Sequence, residues 1–140
     1  MRRALCVGID FYPFGVLTGC VSDAQRLATA LRRHQDDSLN FDLREMTAPN
    51  GGKPDVVTRS ALRAAIDELF KHHADVALLS FSGHGTENNL GGYLVTQDAK
   101  KYDEGVAMGD VITMANDSKA AEVVIFLDCC HAGHLGNVPI

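Results

Sequence analysis

A chain of 140 residues is a single domain by length, and with 46% hydrophobic residues it can bury a real core. Trp is absent and aromatics make up 6%, so Leu, Val, Ile and Ala must fill that core. A formal net charge of −5, with Lys and Arg scattered, argues against a nucleic-acid backbone as the main partner, and no apolar stretch approaches the length of a membrane span.

In chain order, "ALCVGID" (Ala4–Asp10) is a short continuous apolar run, the pattern of a strand buried on both faces. A loop with Pro13 and Gly15 follows. "SDAQRLATALRRH" then predicts a helix, with Ser22 as N-cap, Asp23 in the first turn, and Ala24, Leu27, Ala28 and Leu31 on one face. "FDLREMT" (Phe41–Thr47) predicts a second, weaker strand, and "APNGGKPD" a Gly/Pro/Asn loop. "TRSALRAAIDELFKHH" is the clearest helix, capped by Thr58, with Leu62, Ala65, Ile66, Leu69 and Phe70 as its apolar stripe. His72 and His73 at its end, and His34 after the first helix, read as cations favoured by the helix dipole.

"ADVALLSFSGHG" opens a third buried strand ending in a Ser/Gly-rich turn, and "GGYLVTQD" adds a short strand or hairpin arm. A helix follows over about Met108 to Ala115, and "AEVVIFLD" (Ala121–Asp128) is the fourth main strand. This alternation predicts an α/β fold with a parallel or mostly parallel sheet and helices on both faces. Such sheets bind ligands outside the carboxyl ends of their strands. His84 with its flanking glycines, the Asp128-Cys129-Cys130-His131 run, and the "GCVSDA" stretch with Cys20 and Asp23 all fall on that edge.

The four cysteines Cys6, Cys20, Cys129 and Cys130 have no CxxC spacing, and a disulfide between neighbours is strained. The opening "MRRALCVGID" is too short for a secretory leader. Free thiols in a reducing cytoplasm are the expected state.

"VVIFLDCCHAGH" admits three readings. Cys129, Cys130, His131 and His134 would be four zinc ligands, but consecutive residues on an extended chain point in opposite directions, and structural sites usually space their paired cysteines more widely. A buried Cys is often a small hydrophobe; Cys6 fits that reading, and so does Cys129. The third reading pairs Cys130 with His84. A thiol needs a nearby base or cation to be held as thiolate at neutral pH. Glycines at 83, 85 and 133 let a substrate approach closely, and if the two strands are neighbours, imidazole and sulfur face one crevice. That is the layout of a Cys–His dyad for acyl transfer.

"SFSGHG" and "DCCHAG" resemble the His and Cys boxes of the caspase-like cysteine peptidases, nearest to the metacaspase and bacterial orthocaspase branch. "ALCVGID" followed by "LTGCVSDAQRLATALR" resembles that branch's opening strand and helix. Caspases place the histidine about fifty residues before the cysteine, and His84 and Cys130 have about that separation. The resemblance implies a caspase-like three-layer sandwich, Cys130 as nucleophile and His84 as general base and acid. It implies the backbone N–H groups of Gly85 and Cys130 as oxyanion donors, and a pocket for the residue before the cut lined by Asp23, Asp128, Cys20 and Ser82. Two carboxylates there favour a guanidinium or ammonium, which predicts cleavage after Arg or Lys.

The family's fold normally continues past the Cys box, so residues 1–140 are expected to be one large-subunit catalytic domain whose partner is a small-subunit segment outside this chain. Protein substrates with exposed Arg or Lys are the other expected partners; nucleic acid and membranes are not. No metal or organic cofactor is expected. Metacaspases often need calcium, but Asp98, Asp103 and Glu104 in "TQDAKKYDEG" read as solvated loop charges rather than a hard-cation site. The expected activity is that of a cysteine endopeptidase; the rival readings are a non-catalytic caspase-like signalling module and a zinc-binding module.

Overall fold

The computed structural model describes residues 1–129. β1 (Arg2–Ile9), β2 (Phe41–Ala48), β3 (Ala74–Gly83) and β7 (Ala120–Cys129) form one sheet in the order β2-β1-β3-β7, with every pairing parallel. The crossovers are α1 (Cys20–Arg32) and α2 (Arg59–Lys71), while α3 (Met108–Asn116) leads into β7. A second, antiparallel sheet of β4 (Gly85–Asn88), β5 (Gly91–Lys100) and β6 (Asp103–Ala107) springs from the end of β3.

The result is a three-layer α/β sandwich, as the alternating pattern predicts. Leu5, Val7 and Ile9 of β1 and Leu79 and Phe81 of β3 are buried in one cluster with Leu62, Ile66 and Phe70 of α2 and Val111 of α3. The opposite face packs on α1 through small residues. A Cβ on Gly8 would lie 2.5 Å from the Cys20 carbonyl oxygen and 2.8 Å from Ala24 Cβ. Gly8 therefore lets the start of α1 lie directly on the sheet.

The α2 stripe of Leu62, Ala65, Ile66, Leu69 and Phe70 is buried as its 3.6-residue spacing requires. Thr58 is its N-cap, with Oγ1 accepting from Ala61 N–H at 3.3 Å, a contact worth about 1 kcal/mol. His72 sits at the helix end with Nε2 2.8 Å from Glu68 Oε1. Cys6 is wholly buried, and burial is the main cause that pushes its thiol up to about 11.

Four expectations need correction. Ser22 does not cap α1: the helix begins at Cys20 with Gly19 as N-cap, and Ser22 is inside it. The cap arrives from a distance instead, because Asp10 Oδ1 accepts from Cys20 N–H at 2.9 Å. The single hairpin arm is a three-stranded meander, and "TQDAKKYDEG" is not a loop but spans the end of β5, a tight turn, and the start of β6. The cation in the last turn of α1 is Arg32, paired with Glu45 at 2.7 Å, and the helix ends before His34. No helix among the described residues is long and apolar enough to cross a membrane.

Candidate active site

The carboxyl ends of β1, β3 and β7 and the start of α1 converge. Gly8 pairs with Ser82, and Ser82 pairs with Asp128, so the three share one row across the sheet. Partners in a parallel sheet point to the same face, here the face covered by α1. Ser82 is buried, and its Oγ has no hydrogen-bond partner among the described residues. Cys20 is buried against Gly8 at the first position of α1. Asp23, in the first turn of that helix, and Asp128, near the end of β7, are both exposed. Of the four residues expected in the pocket, Ser82 and Cys20 are therefore buried, and Asp23 and Asp128 are exposed.

His84 follows β3 directly and is 5% exposed. Its Nε2 lies 2.8 Å from the carbonyl oxygen of Gly15. A carbonyl oxygen only accepts, so Nε2 carries the proton and the neutral ring keeps its lone pair on Nδ1. Tyr12 and Phe14 pack on the imidazole, with ring centroids 4.7 and 6.4 Å away. One loop, between β1 and α1, therefore supplies both the acceptor that fixes the tautomer and the rings that fix the plane.

That loop is tied down at several points. Asp10 N–H and Phe11 N–H both donate to Ala48 O, at 2.9 and 3.0 Å. Gln97, 2% exposed, donates from Nε2 to Phe11 O at 2.8 Å and accepts at Oε1 from the N–H groups of Val56 and Val57 at 3.0 and 2.8 Å. Asn50 donates to Leu17 O at 2.8 Å.

Gly85, the first residue of β4, is buried and lies opposite Leu94. Val95 N–H donates to His84 O at 3.0 Å. Bonded and non-bonded pairs alternate along an antiparallel ladder, so the Gly85 N–H is turned away from β5 and out of the ladder. A backbone donor next to His84 thereby points away from β5.

Cys130 lies outside the described residues, as do His131 and His134, so the dyad, the second oxyanion donor and the zinc reading all include positions beyond Cys129. Cys129 is half-buried and packs on the core, in keeping with its reading as a small hydrophobe. Among the described residues no group of His, Cys, Asp and Glu is arranged to hold a metal. The carboxylates considered for calcium have protein partners: Asp98 Oδ1 accepts from Arg59 N–H at 2.9 Å, Asp103 is 3.3 Å from Arg59 Nε, and Glu104 accepts from Asn88 at 3.2 Å.

Sequence reasoning missed Tyr12, the Gly15 carbonyl, Gln97 and Asp10. One signal was present: "FYPF" holds three of the nine Phe and Tyr residues of an aromatic-poor chain. Aromatics concentrated in a loop imply that the loop is buried against something.

Comparison with known proteins agrees with this architecture. The profile described as "Caspase domain" matches residues 1–138. Metacaspase-3 of Trypanosoma cruzi (strain CL Brener) is 27% identical over 157 aligned positions, which cover 98% of this chain and 42% of the relative. The chain thus spans less than half the length of that relative. A match over nearly the full chain, on a three-layer fold with its histidine at the strand edge, means that this chain belongs to the caspase-domain family.

Proposed function

We propose that the chain carries the Cys–His dyad of a cysteine endopeptidase that cleaves proteins after Arg or Lys. The observation that carries this reading is the His84–Gly15 hydrogen bond of 2.8 Å, which leaves the lone pair of a buried imidazole on Nδ1 at the end of β3. The register adds support. Cys129, the residue before the proposed nucleophile in sequence, is the Cα partner of Gly83, the residue before His84. Membership of the caspase-domain family supports a peptidase reading.

In this reading His84 Nδ1 takes the Cys130 thiol proton, and the thiolate attacks the carbonyl carbon of the scissile peptide. The oxyanion is held by the N–H groups of Gly85 and Cys130. The intermediate collapses as the imidazolium protonates the leaving amine, giving a thioester. Water, deprotonated by His84, attacks the thioester; the acid is released and the proton returns to the sulfur. No step passes through a metal. The buried Ser82 and Cys20 would take the aliphatic stem of the side chain before the cut, and Asp23 and Asp128 its charged head.

Asp23→Ala tests the specificity. Fluorogenic peptides with Arg, Lys, Asp or Ala before the scissile bond are compared with parent and variant, with and without calcium. The expected result is a fall in kcat/KM of about 10- to 100-fold for Arg and Lys substrates, from loss of one charged contact. The rate of Cys130 alkylation should not change. An Arg preference equal to the parent's would remove Asp23 from the pocket. A small-subunit segment supplied as a second chain should raise the rate without altering the order of preference.

A further inference from the structure

Tyr12 is 1% exposed although it lies in the loop between β1 and α1. Its hydroxyl accepts from His84 N–H at 3.1 Å and donates to Val95 O at 2.9 Å. Both directions are fixed, because an amide N–H only donates and a carbonyl only accepts. On the other side of the same residue pair, Val95 N–H reaches His84 O directly at 3.0 Å. A regular antiparallel pair would make both bonds directly. The phenol oxygen is therefore a one-atom spacer in the ladder, and it holds the His84 main chain off β5.

Two further observations point to the same role. A Cβ on Gly83 would lie 2.6 Å from the Tyr12 hydroxyl, so the residue before His84 must be glycine while the phenol is in place. The Tyr12 ring also packs on the imidazole, tilted by 54°. The loop that carries Tyr12 carries Gly15 too, so displacement of one moves the acceptor of Nε2.

We propose that Tyr12 is a positioning residue for His84: its buried hydroxyl sets the His84 backbone and, through it, the place and tautomer of the imidazole. The proposal rests on the reading of His84 as the general base. Tyr12→Phe keeps the ring and removes one oxygen. Gly83→Ala keeps the oxygen and pushes on it from the other side.

The test uses the full chain labelled with 15N-histidine, at a temperature where circular dichroism shows the variants folded. In the parent, His84 should give the shifts of a neutral Nε2–H tautomer with slow exchange. In either variant that proton should exchange at least tenfold faster, and kcat on an Arg peptide should fall about tenfold with KM within twofold. Unchanged His84 shifts and exchange in a folded variant would overturn the proposal. So would global unfolding of both variants, since the hydroxyl would then support the fold at large and not His84 in particular. A parent that cleaves no peptide even with a small-subunit segment supplied, while its variants show these spectral changes, would defeat the endopeptidase reading and leave the positioning role standing.

Discussion

Replacing His84 by alanine should lower kcat on an Arg peptide by about 10³-fold, within the range for loss of a positioned general acid and base. KM should change little, because the imidazole is buried at the strand end and the substrate's charged head would sit at Asp23 and Asp128. The residual rate carries the sharper signature. Without the imidazole, Cys130 must ionise as a free thiol, with a pKa of about 8.5. The residual rate should then climb about tenfold per pH unit below that value, while the parent is already active near neutral pH. Cys130→Ala should abolish turnover at every pH. A His84→Ala variant with the parent's rate and pH profile would take His84 out of the chemistry.

Gly8→Ala should destabilise the fold by about 3 kcal/mol, the upper part of the usual cost of forcing extra volume into a packed interior. The added Cβ would lie 2.5 Å from the Cys20 carbonyl oxygen and 2.8 Å from Ala24 Cβ. Both atoms belong to α1, so relief requires the helix to lift off the sheet, and its first turn carries Cys20 and Asp23. Gly109→Ala is the control, because a Cβ at that position in α3 meets nothing within 4 Å. There stability should hold or rise by up to about 1 kcal/mol through helix propensity. Urea midpoints at unchanged m report both. Equal midpoints for the two variants would contradict the close approach of α1 to β1.

The elements that the sequence discloses are those built from local pattern. The α2 stripe and its Thr58 cap are written within one stretch, and the structure keeps them. The apolar runs of β1 and β3 are buried over most of their length, whereas β7, at the sheet edge, is only partly covered and leaves Phe126 and Leu127 exposed; the alternation of these strands with helices yields the parallel sheet. What escapes is held by partners far away in sequence. β4 is only "GTEN" and β6 "DEGVA"; neither has a pattern of its own, and both exist through pairing with β5. The start of α1 is misplaced for the same reason, since Asp10 reaches across the loop to cap Cys20 and no adjacent side chain does so.

The candidate site divides likewise. Its reactive side chains stand out because His, Cys, Asp and Gly at strand ends are unusual residue types in place. Its supports do not. The Gly15 carbonyl has no side-chain identity, and the Tyr12 hydroxyl acts on main-chain groups about seventy and more residues away. Asp98, Asp103 and Glu104 are solvent-accessible charges, as expected, but they lie on strands and not in a loop: two of them meet Arg59 at the start of α2 and the third meets Asn88 of β4, contacts that only tertiary pairing creates.

The central claim is that Cys130 is a nucleophile activated by His84 beside a pocket for a basic side chain. Mass spectrometry of the intact chain after exposure to peptidyl chloromethyl ketones with Arg or Asp at the reactive end tests it most directly. The account predicts one adduct, on Cys130, with the Arg reagent and much less with the Asp reagent, and its loss in His84→Ala. An adduct spread over Cys20 and Cys129, or one formed equally with both reagents and without need of His84, would contradict it.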